Sequence, residues 1–243
     1  MRKAVSLLLL AGATTACGSS GDNNLSSAAN GAVGPAEFQP AVVGVATNGS
    51  ACAFTWNGEA VTREALRTRG TAHLAAVRRR PDGAAIMADG ARPAASLEAA
   101  ADLPFDCAAF ALGDLRATGF TWVALRVPGA ADQRVSVHNS HEGRYTPRAI
   151  VQMGTGARIA WQEREINLPT LRQWALGLRG SAFVPDDFVM LPAADTDFGA
   201  VHRAVTVVRK AGLDLFLGGC APEASNDPES RGVWGSERAV SVC

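Results

Sequence analysis

The chain has 243 residues, and its 23 Lys plus Arg balance its 23 Asp plus Glu, so the formal net charge at pH 7 is zero. Both signs are dispersed along the chain, whereas nucleic-acid binding needs a concentrated basic face, so the composition argues against a nucleic-acid partner. Hydrophobic residues make up 47% of the chain, enough for the core of one larger domain or two small ones.

The N-terminus reads as a targeting segment. Arg2 and Lys3 precede an uncharged, mostly apolar run over 4–16, which is too short to cross a bilayer but typical of a secretion signal. The run ends in "TTAC", which resembles the lipobox of bacterial lipoproteins. We therefore expect a signal peptide over 1–16 and lipidation of Cys17, which would attach the protein to a membrane. The alternative is an ordinary signal peptide cut near Ala16 that leaves Cys17 unmodified.

Residues 17–39 then form a segment rich in Gly, Ser, Ala and Asn that has few large apolar groups. Such a segment cannot bury enough surface to fold, so we predict a flexible tether behind the lipidated cysteine. Gly18 occupies the position where an aspartate often retains lipoproteins in the inner membrane. The expected location is therefore the cell envelope, facing the periplasm, with the outer membrane preferred.

The rest of the chain contains two copies of one unit. The stretch "FTWNGEAVTREAL" (54–66) aligns on "IAWQEREINLPTL" (159–171), and "DLPFDCAAFALGDLRATGF" (102–120) aligns on "DTDFGAVHRAVTVVRKAGL" (195–213). The second pair carries an apolar stripe at helical spacing in each copy. Its positions are Phe105, Ala108, Leu112 and Leu115 in the first copy, and Phe198, Val201, Val205 and Val208 in the second.

Copy one begins with the strand "AVVGVA", a turn at Asn48-Gly49 and the strand "CAFTW". Thr62 is a good N-cap for the helix that starts at Arg63. A loop and an extended helix are equally compatible with "RRRPDGAAIMADGARPAAS". The weak strand "ASLEAAA", the helix from Phe105 and the strand "FTWVALRV" complete this copy.

Copy two follows a polar, proline-bounded stretch, and its strands "RAIVQM" and "ARIAW" form a hairpin around "GTG". Asn167 caps a helix from Leu168 that buries Leu171, Trp174 and Leu178. The strand "DFVMLPA", the helix from Phe198 and the strand "LDLFLG" follow.

These elements predict an α+β fold of two tandem ββαβαβ domains, each a small mixed sheet with two helices on one face. The expected boundaries are 40–127 for the first domain, 128–147 for a linker, 148–219 for the second domain and 220–243 for a C-terminal tail.

Both copies resemble the periplasmic domain of the ExbD/TolR biopolymer-transport family. The features that match are the "NG" turn in "WNGEAV", an aspartate after strand three, the "FG" step and a helix that ends in "AG". The resemblance covers 40–127 and 148–219. It implies an envelope domain that meets partner proteins, peptidoglycan or a copy of itself.

One feature departs from the family. Its members carry a single such domain behind an uncleaved transmembrane helix, whose aspartate takes part in proton-driven transport. The hydrophobic segment here contains no Asp or Glu. The proton relay of the family is therefore assigned to no residue of this chain.

Four cysteines besides Cys17 are present, and in an exported protein they predict two disulfides with three possible connectivities. Cys52 lies in strand two and Cys107 in the first turn of helix two of the same unit, while Cys220 follows the last strand and Cys243 ends the chain. We therefore pair Cys52 with Cys107 and Cys220 with Cys243. No Cys/His spacing resembles a zinc site, and we expect no metal and no cofactor.

Asp195 and Asp197 stand just before a helix, where they could form a catalytic pair, bind a metal or cap the helix. In the first copy Asp102 takes the place of Asp195, but Pro104 replaces Asp197. Because one copy lacks the second carboxylate, we interpret these aspartates as helix caps that favour the positive end of the dipole.

The remaining candidates are isolated. His138, His141 and Glu142 could bind a metal if they were helical, but they lie in the polar linker and are interpreted as solvated. His73 and His202 lie in helical stretches without an evident partner, and Ser181 lacks the frame of a nucleophile elbow. The tryptophans at 56, 122, 161 and 174 fall on apolar positions that predict a place in the core.

No catalytic residue is therefore predicted. The expected function is that of a non-enzymatic, lipid-anchored envelope protein that binds partners as part of a biopolymer-transport or envelope complex. A solute-binding lipoprotein that uses the cleft between the two units is one alternative. A secreted hydrolase whose site assembles from scattered residues is another.

Overall fold

The structure is a computed structural model that describes residues 38–88, 92–137, 149–161, 164–179 and 188–218. The predicted signal peptide, Cys17, most of the tether and the tail with Cys220 and Cys243 lie outside the described residues. The candidates His138, His141, Glu142 and Ser181 lie outside them as well.

The first repeat opens with a three-stranded meander, although the sequence predicted only two strands. The strands are β1 (Ala41–Asn48), β2 (Ala51–Trp56) and β3 (Glu59–Val61). The second turn is Asn57-Gly58, and both residues have positive φ, 52° and 85°. Two left-handed residues match the twist of a two-residue hairpin, and Asn-Gly is the dipeptide that tolerates them best. This turn extends the sheet by the short edge strand β3.

The helices of the first repeat begin where the sequence predicts. The elements are α1 (Arg63–Arg78), α2 (Gly83–Ala88), β4 (Ala95–Ala99), α3 (Phe105–Ala117) and β5 (Trp122–Arg126). The Oγ1 of Thr62 accepts a hydrogen bond from the backbone N–H of Ala65 at 3.2 Å, which confirms the predicted cap of α1. The short helix α2 lies in the stretch whose sequence is compatible with both a loop and an extended helix.

A strand and then the second repeat follow. Within the predicted linker lies β6 (Gln133–Ser136). The second repeat comprises β7 (Ala149–Gly154), a 3-10 turn (Thr155–Ala157), β8 (Arg158–Trp161), β9 (Arg164–Ile166), α4 (Leu168–Leu178), β10 (Phe188–Pro192), α5 (Phe198–Lys210) and β11 (Phe216–Leu217). The Oδ1 of Asn167 accepts from the N–H of Thr170 at 2.9 Å, which confirms the predicted cap of α4.

The described strands form one mixed sheet in the order β3-β2-β1-β4-β5-β6-β11-β10-β7-β8-β9. Counted from the two edges of the sheet, β3-β2-β1-β4-β5 of the first repeat correspond in order to β9-β8-β7-β10-β11 of the second. The two series meet at β6. The pairing senses also agree, because β1 and β4 are parallel as are β7 and β10, while β1 and β2 are antiparallel as are β7 and β8. The predicted combination of helices with a mixed sheet is confirmed. The strands of both repeats, however, join one sheet instead of two.

The main core lies between this sheet and the helices and is one large cluster shared by both repeats, while Val189, Leu191 and Phe216 form a second, smaller cluster. Successive strand residues point to opposite faces, and the buried row includes Val43, Leu97, Val151 and Met190, none of them exposed. The largest buried helix side chains come from both repeats and are Leu66, Leu74, Phe105, Leu115, Leu171 and Phe198. Burying each such side chain stabilises the fold by about 1.5–3 kcal/mol. The described residues from Phe38 onward accordingly belong to one compact unit.

Of the four tryptophans that the sequence predicts in the core, two are buried there, whereas Trp122 and Trp174 are only half-buried. Trp56 and Trp161, at equivalent positions in the two repeats, are both 7% exposed, as the sequence predicted. Trp174 is half-buried and meets the ring of Trp161 edge-on at 5.2 Å. Within the described part of the chain, none of the helices combines the length and the apolar character that a membrane crossing requires.

Candidate functional site

The segments that precede α3 and α5 meet at the junction of the two repeats. Residues 101–104 and 194–197 lie side by side, and Pro104 forms an antiparallel bridge with Asp197. Both segments follow a parallel inner strand, β4 or β10, and both lead into a helix. Their equivalent places in the two repeats bring them together, so we call residues 101–106 and 194–199 the junction.

Backbone hydrogen bonds cross the junction in both directions. The first two N–H groups of each helix donate to carbonyl oxygens of the other repeat: Phe105 to Thr196 at 2.9 Å, Asp106 to Ala194 at 2.9 Å, Phe198 to Leu103 at 2.8 Å and Gly199 to Ala101 at 2.7 Å. The first N–H groups of a helix have no partner within that helix. Each repeat therefore supplies the acceptors that the other repeat lacks.

This exchange corrects the prediction that aspartate side chains cap these two helices. The residues at the N-cap positions are Pro104 and Asp197, and neither makes a side-chain cap hydrogen bond. Asp102 and Asp195 are exposed, and the carboxylate of Asp195 accepts from the hydroxyl of Thr155 instead of a helix N–H. The prediction was wrong because carbonyl groups of the other repeat already occupy the N–H groups that a side chain would cap.

Gly199 permits the close approach of the two segments. A Cβ built on Gly199 would lie 2.8 Å from the Cβ, 2.9 Å from the carbonyl oxygen and 3.0 Å from the Cα of Ala101. Two of these three atoms belong to the backbone, which cannot swing aside as a long side chain can. The "FG" step that opens α5 is therefore required by the contact with the other repeat.

A disulfide lies next to the junction. Cys52 in β2 is bonded to Cys107 in the first turn of α3, which confirms the predicted pair, and their Cα atoms are 5.4 Å apart. Cys107 is buried, and its N–H donates to the carboxylate of the preceding Asp106 at 2.6 Å. The bond ties the N-terminal end of α3 to the meander of its own repeat.

The same three residues are the one group among the described parts of the chain whose ligand atoms could surround a metal ion. The sulfur atoms of Cys52 and Cys107 and a carboxylate oxygen of Asp106 lie within 4.8 Å of one another. A cysteine binds a metal through its thiolate, but here the two sulfurs are bonded to each other. The arrangement is therefore a structural cross-link in its oxidised form.

A buried carboxylate joins α1 to α3 in the first repeat. The carboxylate of Asp114 is 1% exposed, and it accepts from the guanidinium groups of Arg63 at 2.9 Å and Arg67 at 2.7 Å. Arg63 also lies over the ring of Phe110, with its Cζ 4.6 Å from the ring centroid. The second repeat has Val207 at the position of Asp114. The burial of Asp114 was not predicted, because the residue lies off the apolar stripe of α3 and the sequence carries no signal of its arginine partners on α1.

Both described histidines are structural. The Nε2 of His73 lies 2.9 Å from the carbonyl oxygen of Ala94, and its ring stacks on Phe120 at 6.3 Å and meets the edge of Trp56 at 5.8 Å. The Nε2 of His202 lies 3.0 Å from the carbonyl oxygen of Ala131. Burial lowers the pKa of both imidazoles. Each ring is therefore a neutral donor to a backbone carbonyl and is not paired with a nucleophile.

Comparisons of the chain with protein-family models, curated protein sequences and solved structures found no match. The class of the protein accordingly follows from the fold and the junction alone. The described residues combine helices with one mixed sheet, whose two halves have an equivalent strand order and accept each other's first helix N–H groups.

Proposed function

We propose that this chain is a non-enzymatic, lipid-anchored envelope protein that acts by binding, as an accessory component of a biopolymer-transport or envelope complex. Its two repeats would be ExbD/TolR-like units over 40–127 and 148–219. The observation that carries this proposal is the reciprocal backbone pairing at the junction, in which each repeat accepts the helix N–H groups of the other.

The pairing supports a binding role for the following reason. The resemblance to the ExbD/TolR family implies a domain that meets a partner or a copy of itself, and a second copy is already present in this chain. Four hydrogen bonds of 2.7–2.9 Å and the close contact of Gly199 with Ala101 fix the two units against each other. A fixed pair presents one continuous surface to a partner, without an ordering cost at each binding event.

The charged and titratable groups of both repeats also favour a structural framework. The buried carboxylate of Asp114 is held by two guanidinium groups between α1 and α3, and both described histidines donate to backbone carbonyls. Groups engaged in this way stabilise packing and are not poised for proton transfer. The proton relay of the family is accordingly not part of the proposed function.

The membrane attachment is tested by metabolic labelling with a fatty acid. We expect the label on the full-length chain and its loss in a Cys17→Ser variant, because the lipid would be attached to that thiol. Persistent labelling of the variant would contradict the proposed anchor.

The binding role is tested by crosslinking in native envelopes, followed by pull-down. Gly199→Val should disrupt the junction and reduce the crosslinked partners, while Gly113→Ala, at a helix position where a Cβ meets nothing within 4 Å, should leave them unchanged. Equal recovery of partners with both variants would show that partner binding does not depend on an intact junction. Small molecules that co-purify with the protein and appear in native mass spectra would favour the solute-binding alternative instead.

A further inference from the structure

Two arginines share one carboxylate where the two repeats meet on the sheet. Arg134 lies in β6, Arg209 in the last turn of α5 and Asp214 just before β11, and we call these three residues the Arg134 cluster. The Nη2 of Arg134 donates to the Oδ1 of Asp214 at 3.0 Å, and Arg209 donates to the same oxygen. The guanidinium of Arg134 also lies over the ring of Trp122 in β5, with its Cζ 5.4 Å from the ring centroid.

The register of β6 places Arg134 on the face of the sheet opposite the main core. Arg134 pairs with Ala124, whereas the neighbouring Val135 pairs with Val123, and both of these valines are fully buried in the core. Arg134 and Trp122 therefore share the other face. Arg134 reaches Trp122 of the first repeat and Asp214 of the second because β6 pairs with β5 on one side and with β11 on the other.

The cluster has more positive charge than its own carboxylate can balance. Two guanidiniums and one carboxylate carry a net charge of +1, and the side chains are only partly exposed, at 27% for Arg134, 22% for Arg209 and 26% for Asp214. The Nε of Arg134 is buried and has no hydrogen-bond partner among the described residues. A buried donor without a partner is costly. Burial and the nearby charge of Arg134 lower the pKa of Arg209, in agreement with a surplus of positive charge.

A second ion cluster shows the opposite balance. Arg126 in β5 pairs with Asp132 at 2.9 Å and with Glu98 at 3.7 Å, so one guanidinium meets two carboxylates. Its net charge is −1, and it offers no attraction to an anion. Arg126 is therefore a matched control for Arg134, since both are half-buried arginines of adjacent strands on the same face.

We propose that the Arg134 cluster is a binding site for the carboxylate of a partner peptide. The planar fork of a guanidinium matches a carboxylate in two parallel hydrogen bonds, and a single negative charge balances the surplus. A phosphate carries a charge of about −1.5 to −2 at pH 7, which exceeds the surplus of +1 and would leave the occupied site with a net negative charge. The ring of Trp122 supplies an apolar surface beside the charge. This inference deepens the proposed binding function and rests on it for the existence of a partner.

The test uses the purified full chain and follows the arginine Nε–H resonances by NMR. The probes are N-acetylalanine, which carries one carboxylate, its amide, inorganic phosphate, and vesicles of phosphatidylglycerol. We expect a saturable shift of the Arg134 and Arg209 resonances with N-acetylalanine, no shift with the amide, and weaker binding of phosphate and vesicles.

Three variants sharpen the result. Arg134→Lys keeps the charge but loses the fork, and should weaken N-acetylalanine binding about tenfold, as expected for the loss of one charge-assisted hydrogen bond. Asp214→Asn removes the competing carboxylate and should tighten binding. Arg126→Lys should leave binding unchanged. Thermal melts of each variant show whether it folds, and Asp214→Asn keeps the test decisive if Arg134→Lys does not.

Four outcomes would overturn this inference: no saturable shift, an equal response to the amide, tighter binding of phosphate or vesicles, or an equal loss in Arg126→Lys. Its failure is distinguishable from failure of the proposed function. Binding of N-acetylalanine is measured on the isolated protein, whereas the proposed function is tested by lipid labelling and by crosslinked partners in envelopes.

Discussion

Gly199 offers a direct test of the junction, because replacing it with alanine adds a single methyl group. That Cβ would lie 2.8 Å from the Cβ and 2.9 Å from the carbonyl oxygen of Ala101, closer than ordinary van der Waals contact. The same carbonyl oxygen accepts the N–H of Gly199 at 2.7 Å. The substitution therefore overfills the contact and strains the hydrogen bond that completes the start of α5.

The expected magnitude combines opposing effects. Alanine in a helix is favoured over glycine by about 0.5–1 kcal/mol, which by itself would stabilise the variant. Overpacking costs about 1–3 kcal/mol, and a weakened backbone hydrogen bond costs about 0.5–1.5 kcal/mol more. Because the strain exceeds the helical preference, Gly199→Ala should lower the free energy of unfolding by about 1–3 kcal/mol.

Urea denaturation followed by circular dichroism measures this change, and Gly113→Ala is the control. Gly113 lies inside α3, where a Cβ would meet nothing within 4 Å, so only the helical preference acts there. The control should raise the free energy of unfolding by up to about 1 kcal/mol. If Gly199→Ala proved as stable as the control, the close approach of the two repeats would be refuted.

Three further predictions concern the elements around the junction. Replacing Cys52 and Cys107 together by alanine opens a loop of 55 residues and should lower the free energy of unfolding by about 2–4 kcal/mol, measured by urea denaturation. Thr62→Ala should cost about 1 kcal/mol through the lost cap, whereas Asp197→Ala should be nearly neutral, and equal costs would contradict the backbone exchange. Burial lowers the pKa of His73, so the unfolded chain binds that proton more tightly, and stability should fall as pH drops below about 6.5. A His73→Gln variant should show a flatter dependence of the urea midpoint on pH, and an unchanged profile would contradict this.

The features that could be predicted from the sequence depend on local chemistry. A helix N-cap needs one polar side chain at a fixed position, so Thr62 and Asn167 could both be identified without knowledge of the fold. The apolar stripe of α3 and α5 fixes their buried faces in the same local way. The bond between Cys52 and Cys107 needed one further step, the assumption that a strand and a helix of the same unit pack together.

The single sheet could not be predicted, because it depends on β6. This strand is polar at three of its four positions, "QRVS", and it lies between polar and proline-bounded stretches that predict a linker. Its one apolar residue, Val135, faces the core, where it pairs with Val123 of β5. Ser136 on the same strand then meets Phe216 of β11. A strand whose only apolar residue is Val135 becomes a strand through the neighbours it pairs with, and its own periodicity does not indicate them.

The junction could not be predicted from the sequence for a different reason. Its acceptors are the carbonyl oxygens of Ala101, Leu103, Ala194 and Thr196, and every residue type carries a carbonyl, so no side-chain pattern marks them. Asp102 and Asp195 gave a convincing capping signal at that place, and the structure satisfies the same N–H groups by other means. The one sequence trace of the contact is Gly199, which has Asp106 as its equivalent in the first repeat. In a tandem repeat, a position that needs glycine in only one copy therefore marks a contact between the copies that is closer on one side than at the equivalent place on the other. Gly199 against Ala101 is that place in this chain.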